Sequence, residues 1–335
     1  MFDSTRLPDF ADIEAAAARI APYAVETPLL ENAALNEKLG GRVFLKPESL
    51  QRTGSFKFRG AYNRIGLIPE DQRAGGVVAF SSGNHAQGVA AAAGLYGMRA
   101  TIVMPKDAPR AKIEGTMALG AEVIFYDRLT DDREAIAAKI VEERGATLVR
   151  PFDDAGIVAG QGTIGLEIAR QAKARGVELD TVLVPCSGGG IVSGIALALS
   201  EASPGTRTIS VEPANFDGMR LSLTAGERVS APGGAPSMAD ALMAPIPGVV
   251  PFALAKRLME PGLAVSDDDL AVAVVYAVER LKLIIEPGGS AGLGAVLSGR
   301  YDVHGRTVAV VLTGGNCDFE TITACVARAA QLKVL

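Results

Sequence analysis

The 335-residue chain contains no tryptophan, only 5% aromatic residues, two histidines and three cysteines. Packing therefore falls to Ala, Val, Leu and Ile, which carry most of a 48% hydrophobic composition and suffice for a sizeable core. His85 and His304 are far apart, which excludes a histidine-rich metal site. Cys186, Cys317 and Cys325 form no CxxC pair and are too few for a disulfide framework, so a reducing, cytoplasmic setting is expected. No run reaches the ~18 uncharged apolar residues of a membrane span. The N-terminal MFDSTRLPDF lacks the apolar centre of a signal peptide. Positive charge is nowhere clustered and the net charge is −5, which argues against nucleic acid or a membrane surface as partner.

Glycine, by contrast, is plentiful, with 38 residues. Short β-branched runs alternate with Ala-rich helical stretches, the pattern of parallel sheets with crossover helices. Strands are expected at 41–48, 76–82, 99–105, 121–127, 180–186, 208–213 and 306–314. Helices are expected near 10–22, 55–66, 85–96, 109–119, 131–145, 162–176, 190–202 and 267–283. Ser266 and Asp269 resemble a capping box at the start of the last one. The segment 220–252, rich in Pro, Gly and Ala, reads as a long surface excursion. Little chain follows the last glycine-rich turn, so no appended regulatory domain is expected.

Ligands of open α/β sheets gather outside the carboxyl ends of strands, so the glycine turns that close strands are where chemistry should lie. In CSGGGIVSG (186–194), Ser187, Gly188, Gly189 and Gly190 lead into a helix, and their N–H groups can converge on a phosphate. The same stretch imitates a dinucleotide fingerprint, Gly188-x-Gly190-x-x-Ser193, with Glu212 ending the next strand. A nucleotide-binding oxidoreductase is therefore one alternative. SSGNHAQG (81–88) is either a helix cap or a second anion site, for a carboxylate, built from Ser81, Ser82, Asn84 and His85. LIIEPGGSAG (283–292) sets Glu286 before a Pro-Gly-Gly turn, as a cap or as the neighbour of a ring. In TGSFKFRG (53–60), Lys57 stands between Phe56 and Phe58. It is either a stem lying on apolar surface or an amine pocketed so that it can lose its proton and react.

The segments SFKFRGA (55–61), SSGNHAQG (81–88), AGQGTIGLEI (159–168), PCSGGGIVSG (185–194), VEP (211–213), EPGGSAG (286–292) and TGGNCD (313–318) span nearly the whole chain in order. Together they resemble the β-family (fold type II) of pyridoxal-phosphate enzymes, and more closely its threonine/serine dehydratase and serine racemase branch. The resemblance implies an α/β fold of two open, twisted, mainly parallel sheets flanked by helices, with the cofactor in the interdomain cleft. Residues 1–74 and 149–335 would form the large domain, and 75–148 a small mobile one. Lys57 would carry pyridoxal 5'-phosphate (PLP) as a Schiff base, with Phe56 against the ring, Asn84 at the ring hydroxyl, Glu286 beside the ring and Thr313 at the pyridine nitrogen. Ser187, Gly188, Gly189, Gly190 and Ile191 would hold the phosphate.

The resemblance further implies that Ser81, Asn84 and His85 bind the substrate carboxylate, while Arg133 approaches its distal part. Ser82 falls where racemising relatives carry a serine on the face opposite the lysine. The implied reaction releases a 2-oxo acid and ammonia from a β-hydroxy amino acid of the threonine or serine type, with Lys57 as general base. A 3-hydroxyaspartate dehydratase and an amino-acid racemase are close variants. Relatives often bind Mg²⁺ or Ca²⁺ through a Glu-Pro acid and a downstream aspartate. Glu212 and Asp217 are the matching pair, although Gly218 stands where many relatives have another acid. The family is commonly dimeric, so a homodimer is expected.

Overall fold

Along one strand (β10, Thr307–Leu312), Val308, Val310 and Leu312 enter one apolar cluster while Ala309 and Val311 enter another. Both faces of its sheet are thus covered, which is why the run is apolar without alternation. The computed structural model describes residues 3–332. Its larger sheet has six strands: β1 (Leu30–Glu31), β2 (Arg42–Pro47), β7 (Thr181–Pro185), β8 (Arg207–Pro213), β9 (Leu263–Val265) and β10. They lie in the order β1-β2-β10-β7-β8-β9, parallel except for the β1–β2 pair. A second, wholly parallel sheet comes from 77–148, in the order β5-β4-β3-β6: β3 (Val77–Phe80), β4 (Ala100–Pro105), β5 (Glu122–Tyr126) and β6 (Thr147–Leu148).

Helices cover both sheets. Those of the second sheet are α4 (Asn84–Leu95), α5 (Arg110–Ala118) and α6 (Arg133–Arg144). Its core also recruits Phe58, Tyr62 and Ile65 from α3 (Lys57–Gly66), so the lysine-bearing helix belongs to both halves of the molecule. The larger sheet is flanked by α7 (Ala155–Ala174) and α8 (Gly190–Ala202) on one side, and by α11 (Asp267–Tyr276), α12 (Ala291–Leu297) and α13 (Phe319–Gln331) on the other. The remaining helices are α1 (Phe10–Ile20), α2 (Ala33–Leu39), α9 (Gly218–Ala225) and α10 (Val249–Leu258).

Three expectations need correction. Helix α7 begins at Ala155, seven residues before the expected 162, because Asp154 caps it through Gly156 N and Ile157 N. Its run of glycines, poor formers in isolation, is a packing surface. A Cβ at Gly160 would lie 2.6 Å from the Cα of Gly60 in α3. The helix starting at Asp267, whose capping box from Ser266 and Asp269 is present, stops at Tyr276 rather than 283. A wide turn over 277–281 follows, and Lys282 is left-handed with φ +60°. Finally, 220–252 is no simple excursion. It contains most of α9 and the start of α10, and between them Ala239 and Leu242 are buried.

Candidate active site

The carboxyl ends of β2, β3, β7 and β10 meet around one cleft. The turn after β2 is pinned by a bridge between Ser55 and Gly314, and by Phe56 N donating to Thr313 O at 3.1 Å. These contacts hold the first turn of α3 and aim Lys57 inward. Its Nζ donates to Pro151 O at 2.8 Å and lies 5.0 Å from the Phe56 ring centroid. The residue as a whole is only partly buried, yet its amine sits deep enough that burial pulls its pKa down to about 8, against the opposing pull of Glu286. The outer phenylalanine, Phe58, is instead a fully buried core residue.

The other expected residues face the same cleft. Glu286 is 2% exposed, and burial pushes its pKa up to about 7. Its Oε1 accepts from Asn84 Nδ2, while Asn84 Oδ1 accepts from Asn316 Nδ2 at 2.8 Å. Asn316 also donates to Thr53 O at 2.8 Å and so joins the turns after β3 and β10 to the lysine segment. Ser81 Oγ accepts from Gly83 N at 3.2 Å, shaping the turn that begins α4. Ser82 lies half-buried in that turn.

His85 differs from its expected use. Its Nε2 lies 2.9 Å from Val149 O, and a carbonyl only accepts, so Nε2 carries the proton. Burial, and next the charge of Lys57, lower its pKa to about 3. The imidazole is therefore neutral, and a carboxylate at this turn would need its main-chain donors and Ser81 instead. Arg133 is exposed at the start of α6, its guanidinium 5.1 Å from the Phe80 ring centroid at the rim of the cleft.

The glycine turn after β7 has an open backbone that could cradle an anion. Gly189 has φ +94° and precedes α8, whose first turn has no side-chain cap. Phe152 fills the space beside Gly188 and Gly190, while Met219 and Pro251 fill that beside Gly189, so side chains there would collide. Ser187 Oγ accepts from Ala244 N at 3.1 Å, and Gly188 O accepts from Gly248 N at 2.9 Å. Ile191 is buried at the start of α8.

Among the described residues, Ser55 Oγ, His85 Nδ1 and Glu286 Oε2 are buried without a protein partner. Unmet polar atoms around a cleft mark a place built for another molecule. An anionic cofactor with a polar ring and an aldehyde for Lys57 fits this set. Its phosphate would be held by the 187–191 turn, and its ring would lie by Phe56, Glu286, Asn84 and Thr313.

A divalent cation does not fit. Both oxygens of Glu212 accept main-chain N–H groups, from Met219 at 2.9 Å and Arg220 at 2.8 Å. Asp217 is bound by the Arg220 guanidinium, with Nε at 2.7 Å, and Gly218 brings no carboxylate. No cluster of three or more His, Cys, Asp or Glu side chains exists among the described residues. Both oxygens of Glu212 serve the start of α9 rather than a ribose, which counts against the dinucleotide reading. Ser193 also fails as the fingerprint's third glycine, because its hydroxyl donates back to Gly189 O at 2.8 Å.

Two residues of the cleft carry no signal in the sequence. Lys112 in α5 is buried and pairs with Asp240 at 2.7 Å, joining the two halves across the cleft. Burial pulls its pKa down, but Glu286 and Asp240 outweigh it and raise the value. With Glu286, Asn316 and Cys317 they line a cavity of about 360 Å³. A lysine in a short polar helix and an aspartate in a Pro-Gly-Ala stretch look like solvated charges until the chain is folded.

Fold and cleft describe an α/β protein with a buried lysine amine beside a glycine-rich turn that could hold an anion. The pyridoxal-phosphate dependent enzyme family matches residues 20–314, and the chain belongs to it. It is 42% identical to an L-threonine ammonia-lyase of Thermotoga maritima over 93% of this chain and 76% of that protein. An L-threo-3-hydroxyaspartate ammonia-lyase of Pseudomonas sp is also 42% identical, over 94% and 97% respectively. Among solved structures, maize serine racemase superposes with a TM-score of 0.89 at 34% identity, over 98% of this chain and 99% of the other. No helix among the described residues is long and apolar enough to cross a membrane.

Proposed function

We propose that this protein is an ammonia-lyase that converts a β-hydroxy amino acid of the L-threonine or L-serine type to a 2-oxo acid and ammonia. The observation that carries the reading is the buried Lys57 amine, bound to Pro151 O at 2.8 Å, one residue before the Phe152 that packs on Gly188 and Gly190, with its pKa lowered by burial to about 8. PLP, once bound, supplies an aldehyde for the amine and a ring that withdraws electrons from Cα. The Lys57 amine, when free and neutral, would be the base that takes the Cα proton. Ser81, Asn84 and the main-chain donors of their turn orient the α-carboxylate. Phe56 walls the cleft and limits water. The Cβ–O bond breaks with loss of one water, and hydrolysis of the released enamine takes that water back. The net products are the 2-oxo acid and ammonia.

A second reading, action on 3-hydroxyaspartate, is favoured by the relative of that activity matched over 97% of its length. A panel of β-hydroxy amino acids assayed for 2-oxo acid separates the two. The purified protein should show the visible absorbance of lysine-linked PLP, and Lys57→Ala should abolish both the absorbance and 2-oxo acid release. Retained turnover in Lys57→Ala would refute the assignment. Ser82→Ala should spare 2-oxo acid formation and remove any interconversion of enantiomers; equal loss of both would make Ser82 a binding residue.

A further inference from the structure

The first turn of α9 reaches the 187–191 turn through Met219. Met219 is fully buried, and its methyl group occupies the space that a side chain at Gly189 would need. Gly189 is the left-handed residue on which the cradle turns, so whatever places Met219 also shapes the cradle. Three groups place it. Glu212, at the end of β8, accepts from Met219 N and Arg220 N and so caps a helix whose own Asp217 provides no side-chain cap. Asp217, 4% exposed, is held by Arg220 Nε and Nη2. Glu212, wholly buried, is satisfied by those two main-chain N–H groups, so Asp217 is the buried charge that needs a compensating cation beside it. Arg220 supplies that cation through its guanidinium, and its main-chain N–H is one of the two that Glu212 accepts.

We propose that Arg220 is a positioning residue for the 187–191 cradle. It acts as an internal cation, paired with Asp217 beside Glu212, in the place where the family resemblance implies a divalent ion. PLP retention in this protein is accordingly independent of Mg²⁺ and Ca²⁺. The chain of contacts runs from Arg220 to Asp217 and the first turn of α9, then through Met219 to Gly189. Gly218 completes the substitution, since an aspartate there would add a carboxylate that one guanidinium could not neutralise. The inference rests on the reading of 187–191 as the phosphate cradle.

The test uses the holoenzyme, with the PLP dissociation constant and the thermal midpoint as readouts. EDTA, Mg²⁺ and Ca²⁺ should each leave both values of the unaltered protein unchanged. Arg220→Met should weaken PLP binding roughly tenfold or more, the scale of a lost charge-assisted hydrogen bond. The kcat of the PLP-saturated variant should change much less. Arg220→Lys should restore part of the affinity. Loss of PLP from the unaltered protein in EDTA, reversed by Mg²⁺, would overturn the proposal, and this arm needs no variant to fold. Unchanged PLP affinity in a folded Arg220→Met would overturn it as well. Failure of the unaltered protein to bind PLP at all would instead overturn the cradle reading, and this inference with it.

Discussion

Lys57 shows how a residue's chemistry depends on what surrounds it. A lysine ordinarily titrates near 10.5, and burial lowers this one to about 8. Reconstitution of the cofactor-free protein with PLP should therefore accelerate as pH rises, with a midpoint near 8. A midpoint close to 10.5 in stopped-flow absorbance would mean that the amine is not buried. The linked stability has a definite sign. The folded-state pKa is depressed, so the contribution of Lys57 is present above about 10.5 and is lost as pH falls through about 8. Glu286 runs the other way: raised from 4.5 to about 7, its contribution is present below 4.5 and lost as pH rises through 7. The sequence showed the phenylalanines on either side of Lys57 but could not separate them. Phe56 faces the amine, whereas Phe58 is core, because a helix turns successive residues to different sides.

At the scale of elements, α3 is held by a buried charge cluster that no pattern in the sequence announces. Arg59, two residues past Lys57, has no exposed surface and binds Glu48 at 2.8 Å and Glu167 at 2.6 Å. Lys46 joins Glu167 at 2.6 Å, which leaves two cations against two anions. Removing one member strands an uncompensated buried charge, so Arg59→Ala should lower the unfolding free energy by ~3–5 kcal/mol. Denaturant unfolding measures this, and a loss under ~1 kcal/mol would show that the cluster is solvated. The sequence did contain the partners, in SFKFRGA and AGQGTIGLEI, but nothing in it says that α3 and α7 touch. Glycines let them approach closely enough for Arg59 to reach Glu167. The start of α7 was misjudged for the same reason, since glycine's low helical propensity was outweighed by close packing. The helices α2, α9, α10, α12 and α13 were not foreseen. Of these, α2 and α12 have seven residues each and α9 has eight, too few turns for a periodic signal to stand out.

At the scale of the molecule, Lys112–Asp240 is one polar link that spans the cleft. The Asp240 side chain is 43% exposed, so the pair contributes about 1 kcal/mol or less. We expect Lys112→Met to raise amide hydrogen exchange in 77–148 by about fivefold or less while PLP content stays unchanged. A rise spread evenly over both sheets would contradict a small unit that moves against the large one. The division of the chain into such units was read from the family resemblance. The second sheet is drawn from 77–148 and its core also takes side chains from α3, so motion of that sheet would be felt at Lys57.

The sequence alone determined the alternation of strands and helices, the glycine turns and the lysine between two rings. These depend on local propensity and on spacing along the chain, and they sufficed to identify the family. Only the tertiary structure decided what each charged group does. It turned the His85 ring to Val149, spent Glu212 on the start of α9, left Arg133 at the rim and brought Lys112 and Asp240 across the cleft. A carboxylate or an amine takes its role from the partners within a few ångströms, and for His85, Arg133 and Lys112 those partners lie tens to more than a hundred residues away along the sequence.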